Sequence, residues 1–153
     1  VGKDGRSLPP NSPGASAQIV ILVDAGPLVA LLHRDDERHA ECVRALKILR
    51  EPMASVWPAV TEAMYLLNFS WKAQDALWEM VVGGSLKILS LATGDCPRIR
   101  ELMEKYRDLP MDLADAALVQ AAERERISRV FTIDRRDFER YRPRGIGHFS
   151  IVP

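Results

Sequence analysis

The chain has 153 residues, which suits one domain, since a chain of about 150 residues can bury a substantial core. Lysine plus arginine and aspartate plus glutamate both number 21, so an overall basic charge cannot be the basis of nucleic-acid binding. No apolar run is long enough to span a bilayer, and the two cysteines have neither disulfide-framework nor zinc-site spacing. We therefore expect a cytoplasmic protein with no membrane segment.

The N-terminal segment differs in composition from the rest of the chain. Residues 1–18 are rich in Gly, Pro, Ser and Asn, and lack regular hydrophobic spacing. Such composition predicts a disordered N-terminal extension over 1–18 and a folded domain over 19–153.

Hydrophobic runs and turn residues predict strands that alternate with helices. The aliphatic run Ile19–Val23 predicts a buried strand, and Pro27 suits the first turn of the helix that follows. Ser70 is a typical N-cap, and Gly83 is a typical helix end. In chain order, the predicted strands are 19–23, 53–56, 86–91, 129–133 and 149–152. The predicted helices are 27–34, 36–50, 58–69, 71–82, 95–107, 112–126 and a short one through Phe138 and Tyr141.

This alternation predicts an α/β fold, a three-layer sandwich with a central parallel sheet of four to five strands. In open α/β sheets, ligands bind beyond the carboxyl ends of the strands. Asp24 and Asp134 both follow predicted strands, so we expect them to lie at that edge. Either residue could instead be a helix N-cap.

Glu62 is the one charged residue in the stretch Trp57–Phe69. A helix that is apolar on nearly every side is typically buried, and a buried carboxylate needs a cation, a partner or a proton. We interpret Glu62 as a site residue, with a structural salt bridge to an arginine as the alternative.

Two further acids lie three residues apart in an otherwise apolar segment, at Asp112 and Asp115. This spacing places both near one face of a first helical turn, where the positive helix end favours anions. The alternative is a capping box, with Asp112 as N-cap and Asp115 as its acidic partner. Asp137, three residues after Asp134, has a similar capping alternative.

Four acid-bearing segments are difficult to explain as independent caps. Oxygen ligands suit Mg²⁺ or Mn²⁺, and acids that repel one another need a cation to coexist. Such a site can activate water for displacement at phosphorus. The acids therefore predict a divalent-metal site.

At these residues the chain resembles the PIN-domain family, and within it the VapC-type toxins of toxin–antitoxin pairs. The resemblance runs from Ile19 to the C-terminus and rests on an ordered set of segments rather than on one motif. The similar segments are Val23–Leu32, Glu62, Met111–Val119 and Phe131–Phe138.

The resemblance implies a PIN-like nuclease domain over 19–153 that cleaves RNA with Mg²⁺, or with Mn²⁺. It implies that Asp24, Glu62, Asp115 and Asp134 are the catalytic, metal-binding acids, with Asp112 as a further metal ligand. It also implies a homodimer that is inhibited by a small antitoxin protein covering the site. The alternative is a non-catalytic PIN scaffold that binds RNA or a protein partner.

Two surfaces are expected to serve binding. Several arginines could position RNA phosphates, although each could also be an ordinary solvated residue. These are Arg34, Arg38, Arg135, Arg136, Arg140, Arg142 and Arg144. The helices of residues 27–34, 36–50 and 58–82 are expected to form an apolar groove for the homodimer, unless their large apolar residues belong to the core. Those residues are Leu28, Leu31, Leu32, Trp71 and Trp78.

Overall fold

The computed structural model describes residues 19–153, so the extension predicted over 1–18 lies outside the described residues. The strands are β1 (Ile21–Val23), β2 (Met53–Val56), β3 (Leu86–Leu89), β4 (Arg129–Phe131) and β5 (Ser150–Val152). The helices are α1 (Ala25–Leu32), α2 (His39–Ile48), α3 (Trp57–Leu66), α4 (Trp71–Val82), α5 (Cys96–Lys105), α6 (Leu113–Glu125) and α7 (Arg135–Phe138). A 3-10 turn at Thr93–Asp95 leads into α5.

The five strands form one sheet in the order β3-β2-β1-β4-β5, and every pairing is parallel. The central strand β1 pairs with β2 and with β4, so that Leu22 is opposite both Ala54 and Val130. Because all the strands run the same way, their carboxyl ends meet at one edge. The predicted parallel α/β sandwich is confirmed.

Alternate residues of β1 enter two separate cores. Ile21 and Val23 pack with buried residues of α1, α2 and α4. Leu22, between them, packs on the other face with residues of α5 and α6. Helix α3 contacts both α1 and α6, so it connects the two helical layers. This position brings α3 close to the first turn of α6.

The sequence explains several helix ends. Ser70 caps α4 by accepting a hydrogen bond from the Ala73 amide, and Gly83 ends that helix as predicted. Asp24 and Asp112 are the N-caps of α1 and α6. Arg126 ends α6 with φ of 56°, a left-handed conformation at a helix C-cap.

Two helix predictions need correction. The second helix begins at His39 rather than near residue 36, because Asp36 caps a preceding turn by accepting from the Arg38 amide. Helix α3 ends at Leu66 rather than near residue 69, and it is not buried on every side. Tyr65 is 72% exposed, so much of its apolar sequence forms surface rather than core.

Within residues 19–153, no helix is both long and apolar enough to cross a membrane. In the same residues the two cysteines are free thiols, with Cys42 buried and Cys96 exposed. The fold positions its loops and helix N-termini at the carboxyl edge of the sheet, where the predicted acids lie.

Candidate active site at the carboxyl ends of the strands

Five carboxylates from four segments lie close enough together for their charges to interact. They are Asp24, Glu62, Asp112, Asp115 and Asp134. Asp24 directly follows β1, and Asp134 lies three residues after β4. The other three come from the α3 and α6 segments, which contact each other above the sheet edge. The structure therefore brings the five predicted metal-binding acids to the same edge of the sheet.

Asp24 is the most deeply placed of these acids, with 8% of its surface exposed. One carboxylate oxygen accepts from the Ala25 amide at 2.7 Å, and the other accepts from the Thr132 hydroxyl at 2.9 Å. Burial raises the pKa of Asp24 above its usual value, against these two hydrogen bonds, and the negative charges of Asp112 and Asp134 raise it further. Asp24 is thus a helix cap and also a buried acid of the cluster.

Asp115 lies in the first turn of α6, where it is partly buried. Its Oδ2 atom accepts a hydrogen bond from the Tyr141 hydroxyl at 2.7 Å. Burial raises the pKa of Asp115 to about 7, against that hydrogen bond, with added repulsion from the charges of Asp24, Asp112 and Asp134. This carboxyl group can therefore hold a proton near neutral pH when no cation is bound.

Asp112 forms half of the predicted capping box. Its side chain accepts from the Asp115 amide at 2.8 Å, as an N-cap does. The Asp115 carboxylate does not complete the box, because it bonds to Tyr141 instead. Asp112 is exposed, so it can both cap α6 and contribute negative charge to the cluster.

Glu62 is half-buried on α3. Burial raises its pKa, and the negative charges of Asp112 and Asp24 raise it further. Within residues 19–153 no basic side chain forms a salt bridge with it, so the structure gives no support to the salt-bridge alternative.

Asp134 is exposed and is the N-cap of α7, where it accepts from the Asp137 amide at 3.4 Å. Its own amide donates to the Thr132 hydroxyl at 3.0 Å. Thr132 therefore bonds to both strand-end acids, since its hydroxyl also donates to Asp24. Burial, with the charge of Asp134, raises the pKa of Asp137.

In the part of the chain that the structure describes, none of the five acids forms a salt bridge. Across 19–153, no three Asp, Glu, His or Cys side chains are already arranged as a closed metal site. Mg²⁺ keeps several waters and is usually held by one or two carboxylates together with substrate phosphates. The donor set is made entirely of oxygen atoms, which is the chemistry that such a hydrated divalent cation prefers.

Two neighbours of the acids, Thr132 and Tyr141, were not predicted as site residues. Thr132 contacts Asp24 from 108 positions along the chain, and Tyr141 contacts Asp115 from 26 positions away. From the sequence, Thr132 lay within the predicted strand 129–133, and its place two residues before Asp134 was the one available signal. No sequence pattern pointed to Tyr141, whose contact depends on how α7 packs against α6.

An apolar trough adjoins the acids. Trp57, Tyr65 and Leu113 line it together with Glu62 and Asp112. All three apolar residues are more than one-third exposed. Three further large apolar residues are exposed at or near the ends of α3 and α4, namely Phe69, Trp71 and Val82.

The groove prediction is therefore only partly right. Leu28 is fully buried and belongs to the core of the sheet face that carries α1. Leu31 and Leu32 are half-buried against the same core. Trp71, at 69% exposed, and Trp78, at 40% exposed, do supply surface.

The seven arginines divide into two groups. Four already have protein partners, since Arg38, Arg135 and Arg144 pair with glutamates and Arg142 bonds to backbone carbonyls. The other three are exposed: Arg34, Arg136 and Arg140. The positive charges of Arg136 and Arg140 act to lower the pKa of Asp137, so both arginines lie close to the acidic segment of α7.

Comparison with known proteins adds an independent observation. The family model for the PIN domain matches residues 21–142. The curated protein Ribonuclease VapC26 of Mycobacterium tuberculosis is 26% identical over 135 residues, which are 87% of this chain and all of that protein.

Solved structures share the fold at low sequence identity. VapC20 of Mycobacterium tuberculosis, described as a Sarcin-Ricin loop cleaving toxin, has a TM-score of 0.66 at 16% identity and covers 72% of this chain and 86% of its own. A toxin–antitoxin complex from Klebsiella pneumoniae has a TM-score of 0.61 at 18% identity, with 87% and 96% covered. VapBC2 from Rickettsia felis, bound to a DNA fragment from its promoter, has a TM-score of 0.60 at 13% identity, with 88% and 99% covered.

Proposed function

Because the chain belongs to the PIN-domain family, we propose that it is a divalent-metal-dependent endoribonuclease and the toxin of a toxin–antitoxin pair. The observation that carries the proposal is the group of five carboxylates at the carboxyl ends of the strands, none of which pairs with a basic side chain of residues 19–153. Their position is the one at which open α/β sheets bind ligands. The names of the relatives, a ribonuclease and several toxins, support the same activity.

Asp24, Glu62, Asp115 and Asp134 would hold Mg²⁺, or Mn²⁺, with Asp112 beside them. When bound, such an ion supplies charge stabilisation at phosphorus and lowers the pKa of a coordinated water. Asp24 is fixed by Thr132 and by the α1 backbone, so it needs little reorganisation to serve as a ligand.

The protonation of the acids should depend on whether a cation is bound. Without one, Asp115 has a pKa of about 7 and the pKa of Glu62 is raised by burial and by neighbouring charges. A bound cation favours the ionised forms, so binding should release protons near neutral pH. Protons released into solution are therefore one measure of cation binding.

RNA binding would use local charge, because the net charge of the chain is zero. Arg136 and Arg140 are exposed on and beside α7, close to the acids, and would position phosphates. Contacts of this kind set affinity and orientation without reading sequence.

The exposed apolar surfaces would serve the two proposed protein partners. The trough of Trp57, Tyr65 and Leu113 borders the acids, so an antitoxin segment bound there would cover the site. The surface around Phe69 and Trp71 would then be available to a second copy of the chain. Large exposed apolar patches usually mark partners.

Cleavage of a defined single-stranded RNA in Mg²⁺ or Mn²⁺ tests the proposal. We expect cutting that EDTA abolishes, and loss of cutting in Asp24→Asn and Asp115→Asn, which remove charge and keep side-chain volume. Circular dichroism of both variants controls for folding. Full activity in EDTA would exclude the metal mechanism, and an inert wild-type protein that still binds RNA would favour the non-catalytic scaffold.

A further inference from the structure

Tyr141 is a buried residue whose contact with Asp115 has no role in the proposed function as stated so far. Its side chain is completely buried, and its hydroxyl donates to the Asp115 Oδ2 atom at 2.7 Å. Across residues 19–153, the other carboxylate oxygen of Asp115 has no hydrogen-bond partner. The phenol therefore occupies one oxygen and leaves the second free for a ligand.

The Tyr141 ring is itself held in place by aromatic neighbours. Tyr106 and Phe138 contact it edge-on, with ring centroids at 5.1 Å and 5.2 Å. The backbone amide of Tyr141 donates to the Asp137 carbonyl, and the next amide, of Arg142, donates to the Tyr106 hydroxyl at 2.8 Å. The hydroxyl of Tyr141 is thus directed at Asp115 by its ring contacts and by its own backbone hydrogen bond, all of which Tyr106→Phe would keep.

This bond joins two acidic segments. Asp115 belongs to the first turn of α6, whereas Tyr141 closes the turn that follows α7, the helix capped by Asp134. Fixing the Asp115 side chain through Tyr141 therefore also fixes the distance between the two segments.

We propose that Tyr141 is a positioning residue that orients the Asp115 carboxylate for a divalent cation. This inference rests on the proposed metal-dependent function. Groups that bond to metal ligands fix ligand orientation, and their loss typically weakens metal binding about 10–100-fold. The competing explanation is purely structural: a buried phenol needs an acceptor, and Asp115 supplies one.

Tyr106 offers a matched control for that explanation. Tyr106 is also buried and its ring contacts that of Tyr141, but its hydroxyl accepts a hydrogen bond from a backbone amide instead of donating one to an acid. Tyr106→Phe and Tyr141→Phe each remove one hydrogen-bonded hydroxyl from the same aromatic cluster. They should cost similar stability, and only Tyr141→Phe should affect cation binding.

The experiment is calorimetric titration of Mn²⁺ into metal-free wild type, Tyr141→Phe and Tyr106→Phe. We expect Tyr141→Phe to bind Mn²⁺ about tenfold or more weakly, with Tyr106→Phe close to wild type. Equal affinities for the two variants would overturn the positioning role while leaving the proposed function intact. Absence of Mn²⁺ binding by the wild type would overturn both.

A second measurement uses only the wild-type protein, in case Tyr141→Phe does not fold. The chain has three tyrosines, so ¹³C labelling at the tyrosine Cζ atom gives few signals to assign. Titration with Mg²⁺ should shift the Tyr141 signal and leave that of Tyr106 nearly unchanged. A Tyr141 signal that does not move while Mg²⁺ binds would contradict the proposal.

Discussion

Replacing Asp115 with Asn should change how the stability of the metal-free protein depends on pH. Asp115 is partly buried, and no basic side chain of residues 19–153 pairs with it. Burial, together with nearby negative charges, raises its pKa from 3.8 to about 7. Asn keeps the volume and can still accept from Tyr141, so the substitution removes mainly the ionisable group.

The sign follows from proton binding in the two states. Between pH 3.8 and about 7, the folded protein holds a proton on Asp115 that the unfolded chain has lost. The stabilisation is therefore complete below pH 3.8 and is lost as the pH rises through about 7. One pKa unit corresponds to about 1.4 kcal/mol, so the whole interval gives an upper limit of about 4 kcal/mol. Since solvent reaches part of the side chain, we expect about 2 kcal/mol between about pH 5 and pH 8.

Other acids do not obscure this effect. A hydrogen bond from the Ala92 amide lowers the pKa of Asp95. Hydrogen bonds from Arg98 and Arg144 outweigh burial and lower the pKa of Glu123. Both groups are therefore ionised throughout that window and do not make the free energy of unfolding depend on pH there. The raised pKa values of Asp24 and Glu62 give slopes of the same sign, and these remain in the variant. The difference between wild type and variant therefore reports Asp115 together with its charge interactions with these neighbours.

Urea unfolding in EDTA at several pH values measures the effect. We expect the wild type to lose stability from about pH 5 to pH 8, with Asp115→Asn losing less and becoming the more stable protein at the upper end. Asp75→Asn, at an exposed position on α4, serves as the control and should follow the wild type. If the wild-type and Asp115→Asn curves stay parallel, the reasoning about the buried carboxylate is wrong.

Three further predictions concern the site, the packing and the apolar surface. Metal-free Glu62→Gln should melt at or above the wild-type temperature, since the substitution relieves repulsion between the acids. It should also lose most of the stabilisation by Mn²⁺, because a proposed ligand is removed. A much lower melting temperature would restore the salt-bridge alternative. Gly26→Ala places a Cβ atom 2.6 Å from the Ile133 side chain, so urea unfolding should find the free energy of unfolding lowered by about 1–3 kcal/mol. Gly94→Ala, whose Cβ meets no atom within 4 Å, is the control and should show no such loss. Light scattering at micromolar concentration should find a dimeric wild type and a monomeric Trp71→Glu; a monomeric wild type would remove the basis for the dimer.

The sequence predicted those elements whose boundaries are set by local chemistry. Helix α4 has the predicted limits because Ser70 caps it and Gly83 ends it. The start of α2 was misplaced because an aspartate can cap a turn as readily as a helix, and Asp36 caps a turn. Local pattern cannot distinguish these two uses.

Burial was harder to predict, because an apolar sequence has the same pattern in a core and on a binding surface. Leu28 is buried, whereas Tyr65 and Phe69 are largely exposed. The acids were identifiable because charge is conspicuous in apolar segments. Their supporting residues were not, because Thr132 and Tyr141 reach the acids only through tertiary packing.

The strand order has a consequence for when the acids can come together during synthesis. Strand β1 lies at the centre of the sheet, yet the neighbour that supplies Thr132 and Asp134 is β4, made more than 100 residues later. A growing chain that has completed β1, β2 and β3 therefore contains Asp24 and Glu62 without the other three acids of the group. Contacts between such distant parts of a chain also form slowly, because a long loop must close first. Assembly of the complete acid group is thus a late event in the synthesis and folding of the chain.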